Sequence, residues 1–278
     1  MPELTNPRAE RVLSVRALAG RSARSRTGRF LVEGPQAVRE ALRCAPEHVR
    51  DVYVTLTAAE RYVEIVSDAL AARVRVHTAA GDVLEAMSGD AQGVLAVLDA
   101  VPTTLTAVLA AGPRLVAVLA HVRDPGNAGA VIRAADAAGA DAVLLTEASV
   151  DVHNPKVVRS TAGSLFHLPV VTGLSLEDAV VGLRSAGLAI LAADGAGDHD
   201  LDDLLDVAGV SGGGRSQGLP DLSLPTAWVF GNEAWGLPEQ DRALADAVVR
   251  VPIHGRAESL NLATAATVCL YASARAQR

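Results

Sequence analysis

The chain has 278 residues, 50% hydrophobic and 21% charged; that excludes a disordered chain, and the length predicts two domains rather than one core. The formal net charge is −7, yet residues 1–30 hold seven arginines (Arg8, Arg11, Arg16, Arg21, Arg24, Arg26, Arg29) against two acids, Glu3 and Glu10. No apolar run approaches the ~18 residues that span a bilayer, no basic-then-apolar leader opens the chain, and Cys44 and Cys269 alone make neither a disulfide framework nor a metal cage. A cytoplasmic protein with no membrane partner and no metal is expected.

The basic arm suits an anionic polymer, or a solvated terminal helix. After it, Gly28–Gly34 reads as a short strand entering a helix over 35–43. Strands are predicted at Asp51–Thr55, Val74–His77 and Gly93–Leu98, with helices over 59–72 and 80–87 between them. Short strands alternating with helices predict a layered α/β domain. Asp99–Pro113 reads as a linker or a short crossing helix.

A second block repeats the alternation. Leu115–Ala120 is an apolar run fit for a buried parallel strand. A helix from Asn127 to Ala138, a strand at Asp141–Thr146, a helix over 154–162, a strand at Pro169–Thr172, a helix over 177–186 and a strand at Leu188–Ala193 follow. Asp194–Asp206 carries six aspartates, and Val207–Pro225 is rich in Gly and Ser, so 194–225 reads as a mobile surface insertion. Strand Thr226–Phe230, a helix over 238–245, strand Val248–Val251 and a final helix over 258–276 complete the chain.

Four stretches could carry chemistry. Asp124–Gly129, followed by Arg133, lies between a strand and a helix, where free N–H groups favour anions. Phe230–Pro238 follows an apolar strand, with two glycines that permit close approach and Glu233 where open α/β sheets bind ligands. Val251–Asn261 ends in Ser259 and Asn261, one of which could cap the last helix. His153–Gly163 places Lys156 and Arg159 at i,i+3, on one helix face that could bind phosphate. No G-x-G-x-x-G, P-loop, nucleophile elbow, H-E-x-x-H or C-x-x-C is present. A dinucleotide-dependent oxidoreductase is disfavoured accordingly.

Together, Asn127 with Arg133, Asn154–Gly163, Gly231-Asn232-Glu233 and Ser259-Leu260-Asn261, in that order, resemble the motif set of the SpoU/TrmH-type RNA 2′-O-ribose methyltransferases of the SPOUT superfamily. Residues 115–278 carry most of the resemblance; Phe30–Gly34 resembles, more loosely, the family's amino-terminal RNA-binding domain. The long insertion, and Val251 and Ile253 where Ile and Met are commoner, depart from the pattern.

The resemblance implies an α/β fold: a carboxy-terminal parallel-sheet trefoil-knot domain over 106–278, preceded by a smaller α/β/α RNA substrate-binding domain over 1–105. It implies S-adenosylmethionine as cofactor, held around Gly231, Val251, Ile253 and Leu260, and a homodimer whose sites combine both chains. Asn127, Arg133, Glu233, Ser259 and Asn261 are the implied catalytic residues; Arg24, Arg26, Arg29, Lys156 and Arg159 are expected to meet RNA. The family role of Arg133 includes proton removal, but a guanidinium normally stays protonated, so phosphate anchoring is the first role expected. The expected substrate is 23S ribosomal RNA; transfer RNA, or a catalytically silent RNA-binding relative, are the alternatives.

Overall fold

The structure, a computed structural model, describes residues 1–209 and 219–278. It divides into two compact units, one of Met1–Val101 with Asp151–His167 and one of Pro102–Val150 with Leu168–Arg278.

The first unit holds strands β1 (Arg29–Glu33), β2 (Val49–Thr55), β3 (Arg75–Ala79) and β4 (Val94–Asp99), in the spatial order β1-β4-β2-β3. β4 runs antiparallel to both β1 and β2, and β2 is parallel to β3. Side chains alternate between faces along a strand, and here both faces are covered. Phe30, Val32, Val52 and Val54 meet Val38 and Ala41 of helix Pro35–Cys44 and Ile65 of helix Val63–Ala71. Leu31, Tyr53, Leu95 and Val97 meet Val83, Leu84 and Met87 of helix Gly81–Met87. This is the expected α/β/α layering.

The basic arm is folded into that second face. Val12 and Val15 of helix Glu10–Ala17, with Leu18 and with Ala23 of helix Arg21–Thr27, join its core. The sequence places a single helix over 59–72; the structure breaks it at Tyr62, and starts it earlier, at Leu56, because Thr55 Oγ1 caps it by accepting from the Ala58 amide at 3.2 Å. Helix Pro155–Ser160, read in sequence as part of the second block, belongs to the first unit. Val158 enters the same core as Phe30, and the rings of Phe30 and His153 lie 4.3 Å apart.

The second unit is a parallel sheet. Its described strands are β5 (Leu115–Leu119), β6 (Ala142–Thr146), β7 (Val170–Leu174), β8 (Ala189–Ala193), β9 (His199–Asp200), β10 (Thr226–Phe230) and β11 (Ala247–Arg250), in the order β7-β6-β5-β10-β8-β11-β9. Every residue of β5, β6 and β10 is buried, which is why these strands read as unbroken apolar runs. On one face Val116, Val118, Ala227 and Val229 pack with Ala179, Val180 and Leu183 of helix Leu176–Ser185. Helix Leu262–Ala276 packs against helix Pro125–Ala138 and β10, where Trp228 Nε1 donates to Ser273 Oγ at 2.9 Å.

Part of the expected surface insertion is ordered. Leu201 and Leu204 of helix Leu201–Asp206 are fully buried, and the Asp200 carboxylate caps that helix. Gly197 lies against the backbone of β11; a Cβ there would stand 2.8 Å from the Arg250 nitrogen. The aspartates misled because their carboxylates serve as caps and ion-pair partners around two buried leucines. Residues 210–218 of that predicted insertion lie outside the described residues. The helix expected over 238–245 shrinks to Glu239–Arg242, and the last helix begins at Leu262, not 258. No helix of the described residues is long and apolar enough to cross a membrane.

Candidate active site

Sheet order decides where the site forms. β10 inserts between β5 and β8, so the loops leaving the carboxyl ends of β5, β8, β10 and β11 share one edge. A crevice at such an edge is where open α/β sheets bind ligands. Here the cleft has a volume of about 1110 Å³.

The loop after β5 leads into helix Pro125–Ala138. Asp124 caps it, its Oδ1 accepting from the Asn127 amide at 2.7 Å, with Pro125 in the first turn. The cap leaves the Asn127 side chain free to reach outward. Its Nδ2 donates to Glu233 Oε1 at 3.2 Å, and its Oδ1 accepts from Asn261 Nδ2 at 3.0 Å. Three predicted residues from three separate segments thus form one hydrogen-bonded line.

The loop after β10 is held open by its own backbone. Asn232 and Gly236 exchange N–H···O bonds of 3.0 and 2.8 Å across the turn. Gly231 tolerates no side chain: a Cβ would stand 2.4 Å from the Gly236 carbonyl carbon. Asn232, absent from the expected site residues, anchors the turn. It is buried, its Nδ2 donates to the His121 carbonyl at 2.8 Å, and its Oδ1 accepts from the Ala234 amide at 2.9 Å. An Asn between Gly and Glu after an apolar strand was the available signal; only the tertiary contact with His121 shows what it does. Pinned this way, the turn exposes Glu233, Ala234 and Trp235.

The loop after β11 has no regular structure from Val251 to Leu260. Asn261 is the cap of the last helix, its Oδ1 accepting from the Ala263 amide at 2.9 Å while its Nδ2 reaches Asn127. One residue therefore caps and bridges at once. Gly231, Val251, Ile253, Leu260 and Ser259 all line the cleft, with Glu233 and Asn261. Sequence reasoning missed the loop after β8, which adds Asp194, 3.6 Å from Arg242.

Arg133 is placed differently. It is exposed on helix Pro125–Ala138 and does not line the cleft, and its side chain makes no ion pair or hydrogen bond among the described residues.

The expected RNA-contacting residues divide. Arg26 and Lys156 are exposed, and Arg29 is exposed with Asp99 at 3.6 Å. Arg24 does not face solvent: it is 7% exposed, bonds Asp151 at 2.7 Å and donates to the Leu18 and Ala19 carbonyls. Arg159 is held by Glu33 and by Asp90 at 3.0 Å. Both were expected at RNA because sequence gives charge but not partner. Burial resists ionisation of Asp151, but the hydrogen bonds from Arg24 and the His153 amide outweigh it and hold its carboxyl below the usual range. Burial pushes the neighbouring His153 imidazole down. In the same unit Glu40, Cys44 and His167 bring a carboxylate, a thiol and an imidazole within 4.8 Å of one another, a cluster that residue spacing did not reveal. Cys269 is buried in the second unit, which pushes its thiol up to about 12.

Two family models match, the SpoU rRNA methylase family over residues 114–271 and the RNA 2′-O ribose methyltransferase substrate-binding family over residues 31–104. A relative from Streptomyces viridochromogenes, named 23S rRNA (uridine(2479)-2′-O)-methyltransferase, is 32% identical over 93% of this chain and 86% of its own. The Bacillus subtilis 23S rRNA (guanosine(2553)-2′-O)-methyltransferase RlmP is 31% identical over 98% of each. Among solved structures, the S. viridochromogenes SpoU methyltransferase AviRb in complex with AdoMet superposes with TM-score 0.79 at 32% identity, covering 96% of this chain and 98% of that one. An AdoMet-bound rRNA methyltransferase from Sinorhizobium meliloti gives 0.80 at 28%, over 98% and 97%. With both family models matched in order and relatives aligned end to end, the chain belongs to the SpoU rRNA methylase family, the RNA 2′-O-ribose methyltransferases.

Proposed function

We propose that the protein methylates a ribose 2′-hydroxyl of large-subunit ribosomal RNA, in the cleft beside the Asn127–Glu233–Asn261 line. The enzyme is an RNA 2′-O-methyltransferase that uses S-adenosylmethionine. The observation that carries the site assignment is the meeting of that hydrogen-bonded line with a cleft lined by Gly231, Val251, Ile253 and Leu260. The cleft suits an adenosyl group. Val251–Leu260 leaves its backbone N–H and C=O groups outside any helix or strand, and three aliphatic side chains add apolar wall.

S-adenosylmethionine supplies an electrophilic methyl on a sulfonium. Gly231, Val251, Ile253 and Leu260 hold it, and the glycine keeps the turn close enough to form the wall. Asn127, Glu233, Asn261 and Ser259 orient the ribose, and positioning of this kind supplies much of the rate. Arg133 anchors the RNA phosphate with its planar fork. Proton removal from the hydroxyl by Arg133 is the harder assignment, because the guanidinium keeps its proton at neutral pH.

The exposure of Arg133 away from its own cleft supports a homodimer in which a second copy completes the site. Val268 and Tyr271, exposed on the last helix, supply apolar surface for that contact. The carboxy-terminal unit is read as a trefoil knot and the protein as cytoplasmic, in keeping with the family. Arg26, Arg29 and Lys156 remain the RNA-contacting side chains of the first unit.

The test is methyl transfer from labelled S-adenosylmethionine to unmodified 23S rRNA and transfer RNA transcripts, with the modified sugar located by resistance to alkaline cleavage. Label in a 23S ribose is expected. Label confined to transfer RNA, or none in any transcript, overturns the substrate. Light scattering on the same sample is expected to give twice the mass of one chain.

A further inference from the structure

The second unit exposes one large aromatic ring at the cleft. Trp235 is 51% exposed, lines the cleft and stands two residues from Glu233 in the pinned turn. The other tryptophan, Trp228, is completely buried in β10. Leaving an indole in water forgoes the burial of a large apolar surface, so its position needs a reason. The turn is also rigid: its ends are locked by the reciprocal Asn232–Gly236 bonds and by the Asn232 side chain on His121. The backbone that carries the ring is therefore held in place. The guanidinium of Arg123, on the exposed loop after β5, lies 5.2 Å from the ring centroid.

We propose that Trp235 and Arg123 form a stacking platform for an RNA base next to the reacting ribose. The inference rests on the reading of this cleft as the methyl-transfer site. A π face open to solvent beside a cation is the combination that holds single-stranded nucleic acid, the ring taking the base and the cation serving ring and phosphate. The platform sits beside Glu233, which bonds Asn127, so a base stacked there fixes the sugar attached to it against the residues that orient the hydroxyl. Stacking tolerates any base. The platform therefore contributes to holding an unpaired nucleotide rather than to choosing its identity.

The chain's two tryptophans make the test direct, because one is inaccessible. Indole emission is followed while a short single-stranded oligoribonucleotide is added in the presence of S-adenosylmethionine. An all-2′-O-methyl version of the same oligonucleotide, which cannot accept a methyl group, is titrated in parallel. Both are expected to quench the emission of the wild type and to leave that of Trp235→Leu unchanged. In turnover with 23S rRNA transcript, Trp235→Leu is expected to raise KM for RNA about tenfold, with Kd for S-adenosylmethionine unaltered. Trp235→Phe keeps most of the affinity, and Arg123→Gln loses part of it. Absence of quenching by either oligonucleotide, or a Trp235→Leu defect confined to S-adenosylmethionine binding, overturns the platform. Quenching by both oligonucleotides without methyl transfer to any transcript would retain the platform and remove the methyl-transfer reading, so the two failures are distinguishable.

Discussion

Arg24 and Arg159 in the first unit carry the same charge as Arg123 and Arg133 in the second, and all four stand near residues that sequence reading marks for function. Their surroundings differ. Arg24 is buried on Asp151 and two carbonyls, and Arg159 is enclosed by Glu33 and Asp90. Arg123 lies over an exposed ring, and Arg133 stands in solvent. The difference teaches that an arginine buried against a carboxylate is withdrawn from phosphate, whereas one left exposed is open to it. Arg24 and Arg159 tie segments distant in sequence, whereas Arg123 and Arg133 stay exposed.

The largest effect should come from breaking the buried tie. Arg24→Ala strands a partly buried carboxylate and should cost about 3 kcal/mol of stability, read as a fall in the denaturant midpoint. Its direct activity loss should be no greater than the unfolded fraction explains. A variant with unchanged stability and weakened RNA binding would return Arg24 to the RNA-contacting set.

Next comes the exposed counterpart. Arg133→Ala should lower methyl transfer about 100-fold while leaving stability and S-adenosylmethionine affinity alone. Arg133→Lys should remain poor, because a point charge does not reproduce the fork. Near-normal turnover in Arg133→Ala would show that the residue faces no substrate.

Acid should separate the two units with a smaller effect. His153 has its folded pKa depressed by burial from the usual 6.5, so as pH falls below that value protons bind the unfolded chain first and stability declines. Asp151 has a depressed carboxyl pKa; its contribution is present above the ordinary carboxylate range and is lost as pH falls through the folded value. Hydrogen-exchange protection at residues 151–167, relative to the intrinsic rate at each pH, should therefore fall below neutral pH before that of the buried strands of the second unit. Equal acid response in both units would contradict this.

The smallest expected effect lies on the arm. Removing residues 1–26 would take Val12, Val15 and Leu18 from the core and so measures folding, not RNA contact. Substituting exposed Arg21 and Arg26 by Gln is the cleaner experiment. Each lost phosphate contact should flatten the slope of log affinity on log salt by roughly 0.7–0.9, without moving Tm. An unchanged slope would take those two side chains off the RNA.

The sequence by itself determined whatever is written locally. Fully buried strands such as Leu115–Leu119 and Thr226–Phe230 appear as apolar runs because both sheet faces are covered. The short apolar run Phe30, Leu31 and Val32 likewise marks a strand, and both of its faces are packed. Gly231 and Asn232 directly after the apolar strand Thr226–Phe230 marked one loop of the site. Tertiary structure decided which of these came together. The pairing of β10 with β5 and the hydrogen bonds of Glu233 and Asn261 to Asn127 join residues roughly a hundred or more positions apart. So do the burial of Arg24 on Asp151 and the anchoring of Asn232 on His121. Hydrophobic periodicity reports the environment of a residue along its own element. It carries no information on which distant carboxylate, carbonyl or amide will satisfy a polar side chain, and here that pairing separates the arginines folded against carboxylates from those left exposed.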